Sequence, residues 1–143
     1  MFGLDALSTR IALGKSIGAI IGITALLFIP EFLPDASATL KWGVFFWYIT
    51  FGAVIAVFGI YTRSPVIDIA MPWWFRGAYI GAWLNFVIAL VAYDSLSQLM
   101  LAVFDVDGIM TSPFWMVLEG AIFGFLIDLV ATKCGGDGSA IVK

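Results

Sequence analysis

Three polar residues stand inside otherwise apolar stretches of this 143-residue chain: Asn85, Glu119 and Asp128, with Arg76 at the edge of the stretch that holds Asn85. Carboxylates in such places can do one of two things. They can bind and release a proton or a small cation along a polar path, the chemistry of a coupling site. They can also be neutralised by a neighbour and hold helices together. Leaving an ionised side chain unpaired at the centre of a bilayer costs roughly 2.5–3.5 kcal/mol on insertion scales, so each of these residues demands a partner or a task.

Spacing narrows the choice. At about 1.5 Å of rise per residue, Glu119 lies about 9 Å and Asn85 about 14 Å from one membrane face, with Asp128 at about 22 Å and Arg76 at about 27 Å from the same face. If their two helices run antiparallel, Arg76 is level with Asp128, and Asn85 is nearly level with Glu119. The structural expectation is therefore an Arg76–Asp128 ion pair and an Asn85–Glu119 hydrogen bond. Nine residues separate Glu119 from Asp128, which turns a helix through about 900° and points the two acids to opposite faces. They cannot line one narrow pore from the same helix. Asp128 shares its face with Ala121 and Gly124, and Asn85 shares its face with Ala78 and Gly81, whereas Glu119 falls among Ile122, Phe123 and Leu126.

The elements that must position these residues follow from composition. Apolar residues make up 62% of the chain and charged ones 12%, with no His and one Cys. Soluble domains average roughly 45–50% apolar and about 25% charged. The sequence is that of an all-α integral membrane protein, a single membrane domain over residues 1–143 with four transmembrane helices in a compact bundle. The spans are expected at about 16–33, 40–62, 72–93 and 113–133, each near the 20 residues a bilayer requires. Pro30 and Pro34 mark the exit of the first, Ser64-Pro65 breaks after the second, Pro72 opens the third, and Ser112-Pro113 opens the fourth, which Gly135-Gly136 stops. The segment at about 95–104 carries Leu96, Leu99, Met100, Val103 and Phe104 at helical spacing and is too short to cross, which predicts a short interfacial helix between spans 3 and 4. Met1–Lys15 is expected to lead into the first span as an amphipathic or continuous helix. It carries Asp5 ahead of Arg10 and Lys15 with no small-residue cleavage site, so the first span is expected to be retained.

With the N-terminus inside, Arg10, Lys15, Arg63, Arg76, Lys133 and Lys143 all fall on the cytoplasmic side and only Lys41 falls outside. That asymmetry predicts both termini in the cytoplasm and a multi-pass protein of the cell inner (plasma) membrane.

Every span carries small residues four apart: Gly18 and Gly22, Gly52 and Ala56, Gly77 and Gly81, Gly120 and Gly124. Such stripes let two backbones approach closely, which is what fastens helices where lipid supplies no hydrophobic drive. Arg76-Gly77-Ala78, Gly81 and Asn85 align without gaps on Glu119-Gly120-Ala121, Gly124 and Asp128.

Other chemistry is absent from the pattern. Seven basic residues against ten acidic ones form no polyanion-binding patch, so no nucleic acid is expected. Asp105-Val106-Asp107-Gly108 lacks the remaining ligands of a calcium loop, and Gly135-Gly136-Asp137-Gly138 lacks the strand and Lys of a phosphate loop. Cys134 alone forms no internal disulfide. No nucleophile–base pair or metal-ligand cluster stands out, and neither catalysis, metal nor cofactor is expected. The function that fits is an accessory or structural subunit, associating through small-residue and aromatic helix faces with itself or with other membrane-protein subunits in the lipid bilayer. The alternative is a small oligomeric ion- or proton-coupled transporter or channel using Glu119.

Overall fold

A computed structural model describes residues 5–105, 108–138 and 141. Of the positions read above, Val106, Asp107 and Lys143 lie outside the described residues, as does the start of the leading segment. The described chain is helical: α1 (Ala6–Phe32), α2 (Ala38–Phe58), α3 (Trp73–Val91), α4 (Tyr93–Phe104), a 3-10 turn (Ile109–Thr111) and α5 (Trp115–Gly135). Four of these, α1, α2, α3 and α5, are long and apolar enough to cross a membrane.

Local chemistry sets the ends. Asp5 caps α1 by accepting from the Ser8 amide at 2.7 Å, a bond that holds its carboxyl below the usual carboxylate range. The first helix thus begins ten residues ahead of the expected span and carries Arg10 and Lys15 within it. Pro30 does not end it. The helix runs on to Phe32 and stops at Leu33, whose backbone is drawn out of the helical region by the following Pro34. Ser37 caps α2, its hydroxyl accepting from the Leu40 amide at 3.1 Å. That helix ends at Phe58, four residues short of the expected end of the span at 62, and the chain then turns through a segment in which Arg63 is paired with Asp68 at 2.7 Å. Pro72 stands at the N-cap of α3. At the last span, Ser112 and Pro113 form the turn that precedes α5, with Ser112 accepting from the Phe114 and Trp115 amides. Gly136, at φ 74°, ends α5.

Packing divides the spans into two antiparallel pairs. In the α1–α2 pair, Gly14 meets Gly52, Gly18 meets the Tyr48 carbonyl and Gly22 meets the Phe45 carbonyl. In the α3–α5 pair, Gly77 meets Gly124 and Gly81 meets Gly120. At these positions an added Cβ would overlap the facing backbone, so the small stripes are filled within the chain itself. The α3–α5 crossing has a local two-fold character that the ungapped sequence match foreshadows. Asp128 stacks on Gly77 as Asn85 stacks on Gly120, each polar residue lying over the first glycine of the other helix. Between the pairs, Tyr48, Phe51 and Ile55 of α2 meet Ile80 of α3 and Ile127 of α5, forming the apolar core.

The short α4 follows α3 after a single residue, Ala92, and buries Leu96 against the spans.

Candidate functional site

At the end of the molecule where α1 and α3 begin and α2 and α5 finish, three buried side chains and the half-buried Thr132 converge. Asp128 accepts from Arg76 Nε at 2.8 Å and Nη2 at 3.0 Å, a bidentate fork, and from Arg10 Nη2 at 2.6 Å. Thr132, one turn further along α5, donates to Asp128 at 3.2 Å and accepts from Arg10 at 3.0 Å. The remaining donors reach backbone: Arg10 Nε to the Ala56 carbonyl at 3.0 Å, Arg10 Nη1 to the Gly136 carbonyl, and Arg76 Nη1 to the Tyr61 carbonyl at 3.0 Å. Arg10, Arg76 and Asp128 are all 0% exposed. One carboxylate thereby ties α1, α3 and α5 together, and the same arginines fasten the end of α2. Asp137, half-buried at 3.8 Å from Arg76, brings a second negative charge near the two guanidiniums. Room for the Arg10 side chain is made by Gly59 and Gly135, where any Cβ would run into it.

Further along, a second set of polar residues resolves differently from the expected Asn85–Glu119 bond. Asn85 is fully buried, accepts from Trp47 Nε1 at 3.1 Å and donates to the Met116 carbonyl at 2.9 Å. Glu119 accepts instead from the Tyr48 hydroxyl at 2.6 Å. The expected bond fails because level is not face. Asn85 sits in the glycine groove between α3 and α5, whereas Glu119 leaves α5 on the side that meets α2.

Two cavities flank this region. One, of about 480 Å³, lies among α2, the end of α3 and α4. The other, of about 500 Å³, lies among α1, α4 and α5, with Glu119 and Tyr48 in its wall. Val44, Tyr48, Leu96 and Met116 belong to both walls and separate them. Glu119 Oε2 makes no hydrogen bond among the described residues and is not sealed off.

The sequence residues thus fall into two groups. Arg76 and Asp128 meet at one end, and Asn85 and Glu119 lie apart, on different neighbours. Four participants were not foreseen: Arg10, Thr132, Tyr48 and Trp47. For three of them a signal was present. Arg10 lies four residues before Gly14, Tyr48 four before Gly52 and Thr132 four after Asp128, so each extends a small-residue stripe by one helical step. Trp47 had no such mark.

No family model, curated protein or solved structure matches the chain.

Proposed function

We propose that this protein is an accessory or structural subunit of a membrane assembly, crossing the inner or plasma membrane four times with both termini in the cytoplasm and α4 lying along the outer interface. The supporting observation is the Arg10–Asp128–Arg76 tie, which fastens all four spans at one end. With the glycine stripes filled by the chain's own backbones, what remains for a neighbour is the outer apolar face. On α3 that face carries Phe75, Tyr79 and Trp83 at helical spacing, all exposed, with the Phe75 and Tyr79 rings stacked at 5.7 Å. Aromatic side chains offer large contact area at low entropic cost and are enriched among residues that dominate interfaces. The orientation rests on Arg10, Arg63, Arg76 and Lys133, which gather at the fastened end, while Lys41 begins α2 at the other.

A photoreactive amino acid placed at Tyr79 or Trp83 in the living membrane tests the reading. Adducts with a second polypeptide, another copy or a different subunit, are expected. Adducts with lipid alone at both positions would reject it.

One observation favours a second reading, a small oligomeric ion- or proton-coupled transporter. Glu119 lines a cavity, and its second carboxylate oxygen has no hydrogen-bond partner among the described residues. Because the arginine tie fastens one end of the four spans, a path would run between protomers rather than along the axis of one.

A further inference from the structure

We infer that the cavity among α1, α4 and α5 is a binding site for a lipophilic monovalent cation, an amine or onium compound taken from the bilayer, with Glu119 as its counter-charge. The inference deepens the Glu119 reading and rests on that residue facing the cavity, whether or not anything is transported. At about 500 Å³ the space suits a small organic molecule, since ligand pockets run from roughly 300 to 1,000 Å³.

The wall dictates the chemistry of the occupant. It is almost wholly apolar, with Phe28, Leu99, Met100 and Phe123 among its members. Its hydroxyls are engaged: Thr24 donates to the Ile20 carbonyl at 2.9 Å and Tyr48 donates to Glu119 at 2.6 Å. What stays open is the second oxygen of Glu119. A neutral acyl chain would fill the space and leave that second oxygen without a partner, at the cost of an unpaired polar atom in a region of low dielectric. An anion would be repelled. A hydrated metal ion would have to shed water against hydrocarbon with a single carboxylate in return. A cation carried on an apolar body satisfies the wall and the carboxylate together. The rings of Phe28, Tyr48 and Phe123 add π-faces toward which a positive charge is drawn.

The route in is lateral. Ile20 and Phe28 at the rim are 65% and 57% exposed on the outer surface of the spans, so the mouth opens toward lipid, in which such a ligand is already concentrated.

Two ions of like shape and opposite charge, tetraphenylphosphonium and tetraphenylborate, make the test. Binding is measured on the purified full chain in lipid nanodiscs. Saturable binding of the phosphonium is expected, without competition by the borate, and weakened at least tenfold by Glu119→Gln. Ala25→Trp, which fills the wall and leaves Glu119 in place, is expected to weaken it similarly. Equal binding of the two ions by the wild-type protein, or no saturable phosphonium binding, would overturn the inference, and neither result depends on how a variant folds. Undiminished binding by both variants would overturn it too. Because the readout is binding, loss of the cation site and absence of flux are separate results, and the second alone would reject only the transport reading.

Discussion

Arg10, in the second turn of α1, donates to Asp128, in the fourth turn of α5, at 2.6 Å across 118 residues of sequence. Asp128 already holds Arg76 in a two-bond fork, so one buried carboxylate serves two buried guanidiniums. This imbalance has an energetic consequence. Removing one arginine leaves Asp128 with the other, whereas removing the carboxylate leaves two fully buried cations with only the half-buried Asp137, 3.8 Å from Arg76, nearby.

Asp128→Asn is therefore expected to destabilise the protein by about 3–5 kcal/mol, the range for stranding a partner of a buried pair. Arg10→Met and Arg76→Met are each expected to cost less than that. Unfolding of the detergent-solubilised protein by added SDS, followed by circular dichroism, gives the comparison. An Asp128→Asn protein as stable as the arginine variants would show that the shared carboxylate does not carry the tie.

The glycine stripes predict opposite responses to the same substitution. Gly81→Ala places a methyl group into the Gly120 backbone and is expected to loosen the α3–α5 pair. Gly43→Ala has nothing within 4 Å of the new Cβ and lies inside α2. It is expected to stabilise by up to about 1 kcal/mol through helix propensity alone. The same unfolding assay reads both, and a common sign would contradict the packing described.

Glu119→Gln preserves an oxygen that can accept from the Tyr48 hydroxyl, so stability is expected to change by less than about 1 kcal/mol. If the protein is an accessory subunit, its assembly survives this substitution. If it is a proton-coupled transporter, pH-driven flux in liposomes is lost while the protein remains folded.

Cys134 offers a topology test without mutation, because it is the chain's one cysteine and its side chain is exposed near the end of α5. A membrane-impermeant maleimide is expected to label it in inverted vesicles and not in intact cells. Labelling in intact cells would reverse the proposed orientation.

Much of the fold was legible in the sequence because a bilayer leaves few choices. Four apolar stretches bounded by Pro, Ser and Gly can only be four helices when every backbone polar group must be satisfied within its own segment. The first helix continues back to its Asp5 cap, as the leading segment allows, whereas the second stops early, at its Gly59 cap. Partner choice was less legible. Helical phase places Asn85 and Asp128 in the small-residue grooves, where the structure has them, whereas only depth pairs Asn85 with Glu119. Depth fixes one coordinate, and a hydrogen bond needs the azimuth of both side chains, which depends on which helix packs against which. Tyr48 and Arg10 became visible as partners only once α2 and α1 were placed beside α5.

The most direct test of the proposed function is the mass of the particle extracted from its own membrane into a lipid-preserving polymer, with mass spectrometry of its contents. An accessory or structural subunit predicts a particle larger than one protomer, holding either several copies or a second protein in fixed ratio. A homogeneous single protomer with lipid alone would contradict it.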